Sequence, residues 1–580
     1  MGSLRQLAPY FRRHAARYGL GFVLLCISNL FTTLAPRFVQ RGIDAIGRVD
    51  AAANIRTAAL ILLGLSLASG ALRFGMRWYL NGVSRLVETD LRNDLFGHLI
   101  RLPAAFHQRY PVGDLMARAT NDLLALRMVA GPAVMYLVDT TVRTLMIIPM
   151  MVAISPSLAA WALLPTLGLP VTMLVLGGVV HRRALAVQDQ FGDVTSFVQE
   201  HLAGVRVVRA YAQETAEEAL FGDLDRGYVA RNMALARAQG IFHPLLTFLA
   251  GLGAVAALLL GGAALIRGTI TTGAYIAFGI YLGTLVWPMI ALGWAISLIQ
   301  RGNAAAERIA TIMQETPDIA DPAQPVELPA ATGGRRITFE SVWFRYPGPD
   351  GRGWVLEDVS FDVPAGAILG IVGATGSGKS SIADLLLRTW DPDRGRILLD
   401  GVDLRDLRLG DLRHAVAMVP QESFLFSDTV RANILLGMPD DGRLDEAARI
   451  ARLDVALTDL PQGWDTMLGE RGVNLSGGQR QRAAIARALV RDPDVLVLDD
   501  ALSAVDADTE RRILTGLAAT LARRTGLIIS HRSSAVRAAP EIIVLDAGRI
   551  VERGTHDELT ARRGRYATLL MRQVLEEELA

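Results

Sequence analysis

The chain has 580 residues, of which 51% are hydrophobic and 20% charged, with a formal net charge of +1. It is too apolar to be disordered, and the near-neutral balance excludes a dedicated nucleic-acid binder, whose domain carries a basic excess. The lone cysteine, Cys26, excludes a disulfide framework and any cysteine-built metal site. The net charge conceals a division. Residues 1–300 hold 25 Arg against 16 Asp and Glu, a balance of +9, while residues 301–580 hold 34 Lys and Arg against 42 Asp and Glu, a balance of −8. A single soluble fold is not expected to divide in this way. Of the 59 Lys and Arg, 58 are Arg, and the one lysine is Lys379.

In chain order, runs free of Asp, Glu, Lys and Arg mark six apolar helices. Tyr18–Pro36 is the first; Thr57–Leu72 is the second and continues helically past Arg73 and Arg77. Thr144–Val180 carries no such charge over 37 residues, about 55 Å as one helix, against a bilayer core of ~30 Å. It is therefore two helices, turning at Ser155-Pro156-Ser157. Ala238–Ile266 and Gly268–Gln300 complete the set, with Arg267 at the turn between them. The N-terminal flank, with Arg5, Arg12, Arg13 and Arg17 and no acid, predicts a cytoplasmic N-terminus, and six crossings return the chain to the cytoplasm. The turn over residues 36–56, with four Arg against two Asp, weakens that rule without reversing it. The first run lacks a small-residue cleavage site and is followed by five more spans, so it is not a cleaved signal peptide.

Residues 81–130 and 181–240 are long, charged and helix-forming, and read as helices extending beyond the bilayer. Pro103 and Pro111 break the first extension near Leu102–Tyr110; a matching break is expected near Arg206–Gln213. Asp139 and Arg143 lie four apart on the third span and can pair. Such residues either mark a transport pathway or form a self-neutralising pair packed against neighbouring helices. Met135, Met146, Met150, Met151, Met173 and Met289 either line an adaptable pocket or are ordinary packing residues.

Around Pro317–Gly334 the composition turns to Pro, Ala, Gly and acid, as in a linker. Three regions follow: a membrane domain over 1–314, a linker over 315–335 and a nucleotide-binding domain over 336–580. In the last, strand-like Arg336–Val342 and Ile368–Val372 alternate with helical stretches. Gly373-Ala374-Thr375-Gly376-Ser377-Gly378-Lys379-Ser380 fits G-x-x-x-x-G-K-[ST] directly after the apolar strand Ala367–Val372 and before a helix starting near Ser380, with Ser381 next to it among the expected nucleotide-binding residues. The glycines let backbone N–H groups close around phosphates at a helix N-terminus. Lys379 reaches the β- and γ-phosphates of ATP, and Ser380 offers a hydroxyl to Mg²⁺. Whatever drove the chain towards arginine spared one lysine, where a compact ammonium must fit inside a phosphate loop and a planar guanidinium does not. The apolar strand Val495–Leu498 ends in Asp499-Asp500. Asp499 is placed to hold Mg²⁺, and Asp500 to orient or deprotonate the attacking water.

The second half resembles the ATP-binding cassette (ABC) family. Leu475-Ser476-Gly477-Gly478-Gln479 is similar to that family's signature, about a hundred residues after the phosphate loop. The resemblance implies an adenine-stacking ring at Tyr346 in Arg345-Tyr346-Pro347. It implies a Mg²⁺-contacting, γ-phosphate-sensing glutamine at Gln421 in Val419-Pro420-Gln421. It further implies a cross-interface loop at Ser503-Ala504-Val505-Asp506, a γ-phosphate histidine at His531 in Ser530-His531-Arg532, and, in Gly469-Glu470-Arg471-Gly472, the exporters' loop that touches cytoplasmic helices. Six spans before a cassette extend the likeness to the whole chain as an exporter-type half-transporter. The expected fold is thus an α-helical polytopic membrane domain followed by an α/β P-loop ATPase. The resemblance implies an integral protein of the bacterial inner membrane with both termini cytoplasmic, using ATP and Mg²⁺ to move amphipathic or peptidic substrates by alternating access. Import on the same fold, as in siderophore uptake, and nucleotide gating without pumping are the alternatives, and the cassette motifs do not separate them.

One position departs from the pattern. Efficient members of that family carry glutamate where this chain has Asp500. Aspartate is one methylene shorter, retracting the carboxylate by roughly 1–1.5 Å, and a misplacement near 1 Å costs ~10²-fold in rate. In that family each ATP lies between the phosphate loop of one cassette and the signature of another. The expected partner is accordingly a second, different half-transporter, whose glutamate combines with this chain's Leu475–Gln479; the alternative is a homodimer, which would have two impaired sites.

Overall fold

A computed structural model describes residues 7–46, 48–331, 333–347, 353–469, 472 and 474–579. The chain forms two compact units, one of Met1–Arg101 with Tyr110–Glu315, the other of Leu102–Arg109 with Thr316–Ala580. The eight-residue segment Leu102–Arg109 thus groups with the second unit, although the sequence places it inside the first. It forms the short helix Ala104–Arg109, set off by Pro103 and Pro111, and its Ala104 and Ala105 pack on that unit's core.

Six helices of the first unit are long and apolar enough to cross a membrane: Ala15–Asp44, Ala51–Leu99, Val112–Ile154, Pro156–Ala203, Glu214–Ile266 and Thr272–Gln314. The third and fourth separate at Ser155, whose extended backbone and side-chain cap on Leu158 N start the next helix with Pro156 at its first position. The first does not end at Pro36. It runs to Asp44, and the tyrosine hydroxyl of Tyr281 donates to the Thr33 carbonyl at 2.9 Å in the turn before the proline. The third crosses Pro132 within a π-helical turn, Val129–Ala133, a wider turn that relieves the clash a proline ring makes in an α-helix. After the fourth, the chain breaks at Gly204, forms a short helix at Val205–Ala210 and breaks again at Tyr211–Gln213.

Asp139 and Arg143 do pair, at 3.1 Å, and Asn29 joins them. Its amide donates to Asp139 at 2.8 Å and its carbonyl accepts from Arg143 Nε at 3.2 Å. A hydrogen-bonded amide between the two charges helps compensate their removal from water. At the C-terminal end of the first helix, Asp44 accepts from Gly273 N at 2.9 Å and from the Thr271 hydroxyl at 2.8 Å, capping the sixth helix.

The second unit has two sheets. Strands β1 (Ile337–Phe344), β2 (Leu356–Val363), β4 (Arg394–Leu399) and β5 (Val402–Asp403) form an antiparallel sheet in the order β2-β1-β4-β5. Strands β3 (Ile368–Gly373), β6 (Val416–Val419), β7 (Val495–Asp499), β8 (Thr525–Ser530), β9 (Glu541–Asp546) and β10 (Arg549–Gly554) form the other, ordered β10-β9-β3-β8-β7-β6. Every pair in it is parallel except β9–β10. Strands buried on both faces need continuous apolar runs, and β7 is buried at every residue. The register sets Val372 beside Ser530 and Asp499 beside Ile529. The carboxyl ends of β3, β7 and β8 therefore open together, where ligands bind in open α/β sheets.

Thr525, the first residue of β8, ties that strand to the segment entering β1 and to the turn between β2 and β3. Its hydroxyl accepts from Arg335 N at 2.9 Å and Gly366 N at 3.0 Å, and donates to the Arg335 carbonyl at 2.6 Å. Thr525 is fully buried, so Thr525→Val strands three backbone groups for almost no change in shape. Each such group costs ~1–3 kcal/mol. We expect this variant to lose at least about 2 kcal/mol of stability, read as a lower denaturation midpoint of the second unit, with Thr525→Ser retaining most of it.

Candidate nucleotide site

The phosphate loop starts where β3 ends. Its ends are fixed by close packing: a Cβ on Gly373 would sit 2.2 Å from the Leu545 carbonyl oxygen, and one on Gly378 would sit 2.7 Å from that of Val355. Gly378 also has φ +101°, a conformation open to glycine at little cost. The helix Lys379–Leu386 follows, presenting its N-terminus to the loop. Lys379 Nζ donates to the loop's own carbonyls, Gly373 O at 2.9 Å and Ala374 O at 2.8 Å. An ammonium has three protons, so one remains for a phosphate oxygen. Burial lowers the Lys379 pKa, opposed by the nearby charges of Asp500 and Asp499. The hydroxyl of Ser377, also in the loop, is buried without a partner among the described residues.

A cavity of about 420 Å³ gathers most of the expected site: Tyr346, Thr375, Gly376, Gly378, Lys379, Ser380, Ser381, Gln421, Asp499, Asp500 and His531. Gly373, Ala374 and Ser377 shape the loop behind it. Tyr346 stands at one side, edge-on to Phe344 at 4.9 Å and to Trp390 at 5.4 Å. Its hydroxyl meets Ser381 Oγ at 3.0 Å and Asp384 at 3.4 Å. Burial raises the pKa of its phenol, and likewise that of the Asp384 carboxyl. Asp499 ends β7, and burial raises its pKa against a hydrogen bond with Ser380 that lowers it. A carboxylate, a hydroxyl and the amide of Gln421 on one cavity form an all-oxygen donor set, which fits a hard divalent cation such as Mg²⁺.

Asp500 follows in left-handed backbone geometry, φ +49°, with its N–H on the Ile529 carbonyl at 2.8 Å. Its carboxylate is held inside the chain. His531 Nδ1 lies 2.5 Å from one oxygen, and the Ser530 hydroxyl donates to the other at 3.2 Å. This short acid is thus anchored to β8 and the loop after it.

The signature segment lies elsewhere. None of Ser476, Gly477, Gly478 and Gln479 is among the residues lining the phosphate-loop cavity. Ser476 caps the helix Gly477–Val490 reciprocally: its hydroxyl accepts from Gln479 N at 3.2 Å, and the Gln479 side chain accepts from Ser476 N at 2.8 Å. A Cβ on Gly478 would approach the Ala504 carbonyl to 2.9 Å, so this glycine lets the Ser503–Asp506 loop pack against the helix. Gln421 also lines a second cavity, of about 660 Å³, with Phe424, Gly477, Arg480 and Gln481. Glu470 and Arg471 of the segment before the signature lie outside the described residues.

Sequence reasoning missed two partners of this site. Asp384 supports the Tyr346 hydroxyl from the helix after the phosphate loop. Gln573, near the C-terminus, bonds Ser533 and the His531 carbonyl. No local pattern marks either residue, since each acts through a contact distant in sequence.

The transmembrane region of ABC transporters matches residues 18–289, and the ABC transporter family matches residues 356–503. The chain is 37% identical to the probable multidrug resistance ABC transporter ATP-binding/permease protein YheI of Bacillus subtilis, over 99% of this chain and 98% of that one. It is 37% identical to the multidrug resistance-like ATP-binding protein MdlA of Escherichia coli, over 99% and 97%. It is 33% identical to the ATP-dependent lipid A-core flippase of Chromohalobacter salexigens, over 99% and 98%. The structure of a bacterial Atm1-family ABC exporter with ATP bound superposes with a TM-score of 0.79 at 28% identity, covering 97% of this chain and 98% of that one. With its apolar helices, its phosphate loop and these relatives spanning its length, the chain belongs to the ABC transporters, as an integral membrane half-transporter of the exporter type whose cassette couples ATP hydrolysis to transport.

Proposed function

We propose that this chain exports amphipathic substrates (drugs, lipids or peptides) as one half of a heterodimer in which its own ATP site turns over slowly. The relatives named for multidrug resistance and for lipid A-core flipping support the substrate class. The arginine-rich N-terminal flank supports a cytoplasmic N-terminus, and the bacterial relatives support residence in an inner membrane.

The observation that carries the slow-site reading is the held carboxylate of Asp500, one methylene short and bonded to His531 and Ser530. Lys379 and the N–H groups of Thr375–Ser380 bind the phosphates, while Tyr346 packs against the base. Ser380, Gln421 and Asp499 would hold Mg²⁺, which would neutralise phosphate charge there. Asp500 orients water from too far back, so ATP remains bound longer than it would beside a glutamate. The segment Leu475–Gln479, outside the chain's own phosphate cavity, serves the partner's nucleotide. Two bound ATPs close the paired cassettes and turn the cavity outward; hydrolysis at the partner's loop resets it.

Affinity purification of the full-length chain from its native membranes tests the pairing. The expected result is a co-purifying second half-transporter with glutamate after its Mg²⁺ aspartate, and transport into inside-out vesicles on adding ATP. Dimers of this chain alone with full substrate-stimulated ATPase would overturn the heterodimer.

A further inference from the structure

The His531 loop is fixed from four directions. Asp500 takes the ring at 2.5 Å. Arg532 reaches the Ser503 carbonyl at 3.0 Å and the buried Glu510 carboxylate at 3.3 Å. Ser534 donates to the other Glu510 oxygen at 3.1 Å. The fourth hold comes from the C-terminal helix, Arg565–Leu579. There the Gln573 side-chain carbonyl accepts from Ser533 N at 2.9 Å and from Ser533 Oγ at 2.8 Å, while its amide donates to the His531 carbonyl.

Three bonds from one amide to residues two apart make a clamp on the backbone that carries His531. The helix presenting it is itself anchored. Tyr566 is buried, its N–H on Glu552 at 3.0 Å and its hydroxyl 2.7 Å from His556 Nδ1, and Leu569 packs on the core. Glu510 and Arg532 brace the loop from the side of the Ser503–Asp506 segment. Only Gln573, among the described residues, bonds the His531 carbonyl. Without it the peptide that carries the imidazole is held only through its neighbours Ser530 and Arg532 and through the ring's own contact with Asp500, beside the phosphate cavity both residues line.

We propose that Gln573 is a positioning residue for ATP hydrolysis, holding His531 where it meets Asp500 and the nucleotide. The inference rests on the cassette's ATPase activity and on His531 meeting the nucleotide; it does not depend on which partner the chain takes.

The test is a double-mutant cycle in the full-length chain purified without another subunit, so that every phosphate loop present is its own. Hydrolysis of limiting labelled ATP is followed to completion with the chain in excess, so slow turnover is still counted. Gln573→Leu, which removes the side-chain carbonyl and amide together, is expected to slow phosphate release by ~10–10²-fold while ATP affinity stays near that of the unmodified chain. In a His531→Ala background the same substitution is expected to change nothing further. Gln573→Glu, which keeps both bonds to Ser533, should fall between. An equal loss in both backgrounds, or no loss in the first, would overturn the proposal. If Gln573→Leu fails to fold, Ser533→Ala and Gln573→Glu carry the same cycle. Fast turnover by the unmodified chain sinks the slow-site reading yet leaves this comparison intact.

Discussion

Asp500→Glu is expected to raise ATP turnover at this chain's own phosphate loop by ~10²-fold. The present carboxylate is retracted by roughly 1–1.5 Å relative to a glutamate, the distance one methylene spans, and such a shift costs about that factor in rate. The structure adds a second reason. Asp500 is held back by His531 and Ser530, so the added methylene carries the charge forward from an anchored backbone, whose N–H stays on Ile529. The gain should appear in single-turnover phosphate release with ATP affinity little changed, because Lys379 and the loop are untouched. A rate that stays where it was means the slow step lies elsewhere in the cycle, and the reading of an impaired site falls with it. The contrasting Asp500→Asn should lower even the residual rate, since an amide neither accepts a proton from water nor attracts the His531 ring as an anion does.

Lys379→Ala is expected to abolish ATP-driven transport, lowering it by ~10²–10³-fold, and Lys379→Arg should not restore it. Two of the three ammonium protons are spent on Gly373 O and Ala374 O, which close the loop around the space for the phosphates. Alanine loses the charge and the closure together. Arginine keeps the charge, but its planar fork cannot point donors in three directions from one atom. Burial already acts on the single ammonium, and a larger cation in the same place asks Gly373 to move. That glycine sits against Leu545 with no room for even a Cβ. Transport into inside-out vesicles, with ATP photolabelling of the same membranes, reads both effects. Full transport by Lys379→Arg would show that charge alone suffices.

Much of this molecule is local, and so was legible. Apolar run length sets the six spans, and Pro103 and Pro111 isolate the Ala104–Arg109 helix. The phosphate loop is fixed by glycines with no room for a side chain. The pairing of Asp139 with Arg143 follows from their helical spacing, but Asn29, 110 residues before Asp139, does not. Pro36 is instructive in the other direction. A proline normally signals a helix end, yet packing against Tyr281 accompanies a helix that continues to Asp44. The uncharged run stops there because Arg37 follows, and a charge at the edge of a span does not end the helix.

The sequence by itself determined the two-part architecture, the phosphate loop and the shortened acid, because periodicity, charge and side-chain length are properties of single residues and their near neighbours. Only the tertiary structure decided that Leu102–Arg109 joins the second unit, that Thr525 ties β8 to the segments flanking β1 and β3 and that Asp500 is held by His531. It alone assigned Gln573, from the far end of the chain, to hold His531 in turn. These depend on which buried polar groups meet once the strands are in register. Hydrogen bonds in the interior are short-ranged and exacting in geometry, and sequence spacing carries no record of them.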